Sequence, residues 1–87
     1  MRYCYLKASC HKEEAEQAAA LAASRLGGGW GMAVSGMQRA YVHKTDETIT
    51  DGGVVISCND TAPRMTVHQM AAEVVRLIAL QQLGIEQ

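Results

Sequence analysis

The chain has 87 residues, of which 48% are hydrophobic and 20% charged, and its formal net charge is -1. That apolar share excludes a disordered segment, and the length allows one domain, residues 1–87, with a single adequate core. Net charge this close to zero, with Lys and Arg scattered and not clustered, argues against a protein living on phosphate backbones.

Residues 2–8 alternate, with Cys4, Leu6 and Ala8 on one side and Tyr3, Tyr5 and Lys7 on the other, the pattern of a half-buried strand. They do not read as a signal peptide, and no apolar run approaches the ~18 residues of a membrane span. Ser9 is placed to N-cap a first helix, with Cys10 and His11 in its first turn and Glu13 and Glu14 near its positive end. Ala15, Ala18, Ala19, Ala22 and Leu26 fall on one face of that helix. Such a face buries little area per residue but lets the helix axis sit close to a sheet. Gly27-Gly28-Gly29 ends the helix.

From Trp30 the period changes to two. Gly31–Val34, a Ser35-Gly36 turn and Met37–Lys44 read as a hairpin. In its second strand Met37, Arg39, Tyr41 and His43 share one side, and Gln38, Ala40, Val42 and Lys44 the other. Thr45-Asp46-Glu47 is a polar tip, and Thr48-Ile49-Thr50 a short strand or extended loop. Gly53–Cys58 contains the most strand-like triplet of the chain, Val54-Val55-Ile56. Asn59–Arg64 links it to a second helix.

That second helix is the best-specified element. Thr66 and Gln69 form a T-x-x-Q capping box, and Met65 and Met70 are spaced for a hydrophobic staple. Gly84 after Leu83, with Ile85 folding back on Leu80, predicts a Schellman-type stop. The fold class that follows is α+β: a single β-α-β-β-β-α domain with a mostly antiparallel sheet and both helices on one face. The first two strands, joined through a helix, are candidates for parallel neighbours. With no Phe and one Trp, the core must be built from Ala, Val, Leu, Ile and Met.

Three cysteines are an odd number, so no full disulfide framework exists, and a reducing cytoplasm is the expected compartment. Cys10, His11, Cys58 and His68 fall at strand ends and helix starts, which such a topology gathers at one edge. They are the candidates for a metal site or a thiol-dependent enzyme or sensor. None has the short spacing of a structural zinc site, and a strand-end cysteine is usually a small hydrophobe. No metal, cofactor or catalytic residue is therefore expected, and the protein is read as a non-enzyme. Gly27 to Gly31 is not a phosphate loop, because its glycines close a helix instead of opening one.

Binding is the stronger expectation. If Cys4, Leu6 and Ala8 face the helices, then Tyr3, Tyr5 and Lys7 stand on the bare sheet face, joined by Arg39, Tyr41 and His43. Tyr and Arg suit a protein interface. They would also stack the bases of a single-stranded nucleic acid, but the aromatic-rich strand signature of RNA-recognition sheets is missing. Trp30 after a glycine hinge is a candidate interface anchor, and Asp46 and Glu47 are candidate acids facing a basic partner. Val75 and Leu80 lie off the main apolar stripe of the second helix and are candidates for a homodimer interface.

In size, in its lack of catalytic motifs and in its sheet-and-two-helices plan, the chain resembles small accessory proteins of bacteriophages and mobile elements, including anti-CRISPR inhibitors. The resemblance implies a protein that blocks a host protein complex through its surface residues. It also implies that Glu13, Glu14, Asp46, Glu47 and Asp51 would imitate nucleic acid. The net charge of -1 departs from the strongly acidic character of such mimics.

Overall fold

The computed structural model describes residues 3–46 and 52–84. Its elements are β1 (Tyr3–Ala8), α1 (Lys12–Leu26), β2 (Trp30–Ser35), β3 (Arg39–Lys44), β4 (Gly53–Cys58) and α2 (Val67–Gln82). The four strands form one mixed sheet in the order β1-β4-β3-β2, mostly antiparallel. β1 pairs with β4 in parallel, while β4 with β3 and β3 with β2 are antiparallel. The order β-α-β-β-β-α and the α+β class agree with the sequence pattern.

The strand order corrects one expectation. β1 and β2 run in the same direction but lie at opposite edges, with β4 and β3 between them. The reason is the composition of β4, in which Gly53, Val54, Val55 and Ile56 are all buried. A strand apolar on both faces is most stable with neighbours on both sides.

Both helices cover one face. α1 lies over β2 and β3, α2 over β4 and β1, and the two helices pack against each other. Ala15, Ala18, Ala19, Ala22 and Ala23 are the buried residues of α1, so its backbone comes close to its neighbours. α2 buries Met70, Ala71, Val74, Leu77 and Ile78. The helix-facing side of the sheet adds Ala8, Ala40, Val42, Val54 and Ile56 to the same core. Ile56 is among the largest side chains fully buried, and truncating such a residue to alanine costs about 2–5 kcal/mol.

The helix starts show how local chemistry sets the boundaries. α2 begins as its sequence predicts: Gln69 N–H donates to Thr66 Oγ1 at 3.1 Å, and Thr66 N–H donates to Gln69 Oε1 at 2.9 Å. Met65 and Met70 both join the core there. α1 begins later than predicted, because His11 and not Ser9 is the N-cap. Ser9 N–H donates instead to Pro63 O, and Ser9 pairs with Arg64 in a parallel bridge, so strand pairing continues past β1. Cys10 and His11 therefore precede the first turn of α1. Glu14 Oε1 accepts the His11 N–H at 2.8 Å and so satisfies a donor at the helix start.

The helix ends rely on glycine. Gly27 caps α1 with φ 104, and Gly84 follows α2 with φ 79, its N–H donating to Gln81 O. That bond is one half of the expected Schellman pattern; Ile85, which would supply the other half, lies outside the described residues. The hairpin turn is also displaced. β2 runs to Ser35, which pairs with Arg39, and the loop is Gly36-Met37-Gln38. Gln38, at φ 58, takes the left-handed position that three-residue hairpin loops require.

Candidate functional site

Among the described residues nothing covers the face of the sheet opposite the helices, and alternation along each strand fixes its occupants. In β1, Cys4, Leu6 and Ala8 belong to the core or pack against it, so Tyr3, Tyr5 and Lys7 take the other face. In β3, Ala40 and Val42 are core residues, leaving Arg39, Tyr41 and His43 opposite. In β4 that face carries only Gly53, Val55 and Ser57. All three tyrosines of the chain thus gather on one surface.

Register turns these residues into a cluster. Val55 pairs with Tyr5 on one side and with Tyr41 on the other. Val55 is fully buried although it points away from the helices, so the larger side chains on either side close over it. Tyr3 and Tyr41 reach across β4 and meet edge to face, their ring centroids 5.7 Å apart. Arg39 Cζ lies 5.8 Å from the centroid of the Tyr5 ring, within range of a cation–π interaction worth about 0.5–1 kcal/mol at an exposed site. Tyr5 remains 48% exposed. The face is therefore half-closed: Tyr3 and Tyr41 stabilise the fold, while Tyr5, Arg39 and Lys7 meet solvent.

Other sequence candidates lie apart from this cluster. Trp30 is half-buried against the core, with Lys44 Nζ 6.0 Å from its ring centroid. Asp46 is exposed in the turn after β3, and Glu47 and Asp51 lie outside the described residues. Val75 and Leu80 are half-buried and pack against the core. Glu14 is engaged within the chain. Its two carboxylate oxygens accept from Arg64 Nη1 at 2.9 Å and Nη2 at 2.8 Å. The His11 N–H first, and then Arg64, hold the Glu14 carboxyl below its ordinary range.

Of the four Cys and His candidates the fold brings two together. Cys10, just before α1, and Cys58, the last residue of β4, place their Sγ atoms 2.9 Å apart. His11 and His68 are exposed, and among the described residues no three His, Cys, Asp or Glu side chains converge as metal ligands. The pairing arises because Ala8 and Cys58 are register partners in the parallel β1–β4 ladder and Asn59 N–H donates to Ala8 O. Burial, then the hydrogen bond and charge of Cys58, then the Glu14 charge push the Cys10 thiol up to about 12, with Arg64 acting in the opposite sense.

A third contact was not foreseen from sequence. Gln81 of α2 donates from Nε2 to Gly53 O at 2.7 Å and accepts the Gly53 N–H at Oε1 at 3.3 Å, so one amide satisfies both backbone groups of that residue. Nε2 also lies 3.2 Å from Cys4 Sγ. Among the described residues no helix is long and apolar enough to cross a membrane.

Comparison of the chain with known protein families, with curated proteins and with solved structures found no match.

Proposed function

We propose that the protein acts by binding another protein through the bare face of its sheet, as an inhibitor or accessory factor and not as a catalyst. The observation that supports this is the pairing of an exposed tyrosine with an arginine, Tyr5 with Arg39, on a surface no helix covers. Tyr and Arg are the residue types most often found at energetic centres of interfaces, because each combines a large apolar area with polar edges. Tyr3 and Tyr41, packed edge to face on the same surface, brace it, and a braced surface loses less entropy on binding.

Nucleic-acid stacking fits this arrangement less well. Tyr3 and Tyr41 present their rings to each other, and the Arg39 guanidinium already lies by the Tyr5 ring. In the manner of the phage-encoded inhibitors it resembles in plan, the protein would work by occupying a surface of a larger complex.

The test compares capture by the wild type with capture by a Tyr5→Ala, Arg39→Ala double variant of matched melting temperature. The wild type is expected to retain a discrete protein from host extract that the double variant loses. Equal capture by both would overturn the assignment. A salt-dependent shift of a single-stranded oligonucleotide by the wild type alone would replace protein binding with nucleic-acid binding.

A further inference from the structure

We propose that Cys10 and Cys58 are a thiol–disulfide modification site, closing to a reversible intramolecular bond that ties the entrance of α1 to the end of β4. This rests on a different observation from the binding face and stands without it. The two Sγ atoms are 2.9 Å apart and both residues are half-buried, so bond formation requires the sulfurs to approach by only about 1 Å.

The backbone on both sides is already fixed. Ala8 pairs with Cys58, Asn59 N–H donates to Ala8 O at 2.9 Å, and Ser9 N–H donates to Pro63 O at 2.9 Å. Arg64 adds a bond from Nη1 to Ser9 O at 3.1 Å. Asn59 Oδ1 accepts from Thr61 N–H and the Thr61 hydroxyl, holding the turn that follows Cys58. The two sulfurs are each other's neighbours, and among the described residues no third ligand converges on the pair. Cys4 is not part of the pair: it lies near the start of β1, paired with Val54, and contacts Gln81.

The reaction is exchange with a low-molecular-weight disulfide. Cys58 thiolate attacks one sulfur of that oxidant, forming a mixed disulfide and releasing the first small thiol. Cys10 keeps its proton at this stage, because burial and the neighbouring Cys58 charge oppose its ionisation. Once Cys58 is in the mixed disulfide its hydrogen bond and charge no longer oppose the ionisation of Cys10, although burial still does; Cys10 loses its proton to solvent as it reacts. The Cys10 thiolate then attacks the Cys58 sulfur and expels the second small thiol. Two protein thiols are oxidised to one disulfide, and one small disulfide is reduced to two thiols.

The experiment treats the folded full-length protein with glutathione disulfide and reads intact mass and tryptic peptides. The three cysteines fall in three different tryptic peptides, 3–7, 8–12 and 45–64. The expected product has lost two hydrogen atoms, carries no glutathione, joins 8–12 to 45–64, and reverts with dithiothreitol. It should melt about 10 °C or more above the reduced form, because the link joins residues 48 apart in sequence. A Cys10→Ser variant should instead retain one glutathione on Cys58, while Cys4→Ala should still form the link. Stable glutathione on Cys10 and Cys58 without a cross-link, or a link through Cys4, would overturn the proposal.

Discussion

Tyr3 and Tyr41 touch across a strand that belongs to neither of them, their rings meeting at 71° above β4. The contact exists because β4 offers only Gly53, Val55 and Ser57 on that face, leaving room for side chains from both neighbouring strands. It makes a second, small apolar cluster on the side of the sheet away from the helices. Tyr41→Ala should therefore destabilise the protein by about 2–3 kcal/mol through lost aromatic packing and uncovering of Val55. Tyr5→Ala should cost under about 1 kcal/mol, since half of that residue is already exposed. Urea denaturation midpoints at constant slope would measure both.

Gly53 is required by geometry. Its φ is 120, and a Cβ built there would lie 2.1 Å from Val42 O. Gly53→Ala should cost about 3 kcal/mol or more, as the strained backbone and the displaced strand add together. Gly28→Ala, where a Cβ meets nothing within 4 Å, should leave the melting temperature nearly unchanged. A thermal melt of the two variants side by side makes the comparison.

The Thr66 cap offers a local test. Thr66→Ala removes the acceptor for Gln69 N–H and should cost about 1 kcal/mol. Thr66→Asn, which keeps a capping oxygen, should recover most of that loss. Chemical denaturation followed by far-ultraviolet circular dichroism would report it.

Stability should fall on the acid side through Glu14 and Glu73. Both carboxyls lie below the ordinary glutamate range, Glu14 through the His11 N–H and then Arg64, Glu73 through the Arg76 hydrogen bond. The folded protein then binds fewer protons than the unfolded chain in the window below that range. The associated stability is present above the unfolded pKa and disappears as pH falls through the folded values. Melting temperatures from neutral pH downwards should show the gap between wild type and Arg64→Ala narrowing in acid, since protonated Glu14 no longer pairs with Arg64, while the Arg64 bond to Ser9 O keeps a remainder.

Much of the fold was legible because several local signals agreed. Around α2 the cap, the staple and the apolar arc all specify the same helix, and the structure places its first residue at Val67. The alternation in β1 and β3 likewise told which residues turn from the helices. Strand order was harder, because pairing joins segments far apart in sequence. A usable signal was nevertheless present: Val54-Val55-Ile56 does not alternate, as a strand covered on both faces need not. Ser9 was misread as a cap because its N–H is taken by Pro63, a partner no local pattern reveals. The order of elements already put Cys10 and Cys58 at one edge, but their contact depends on the parallel register of β1 and β4 and needed the strand order.

The central place of β4 bears on how the molecule assembles. β1 waits at the rim for a neighbour that lies some fifty residues further along the chain. A nascent chain halted after the hairpin would hold two edges with the middle of the layer missing. Closure by a keystone of this kind puts the native structure out of reach until β4 has followed the hairpin out.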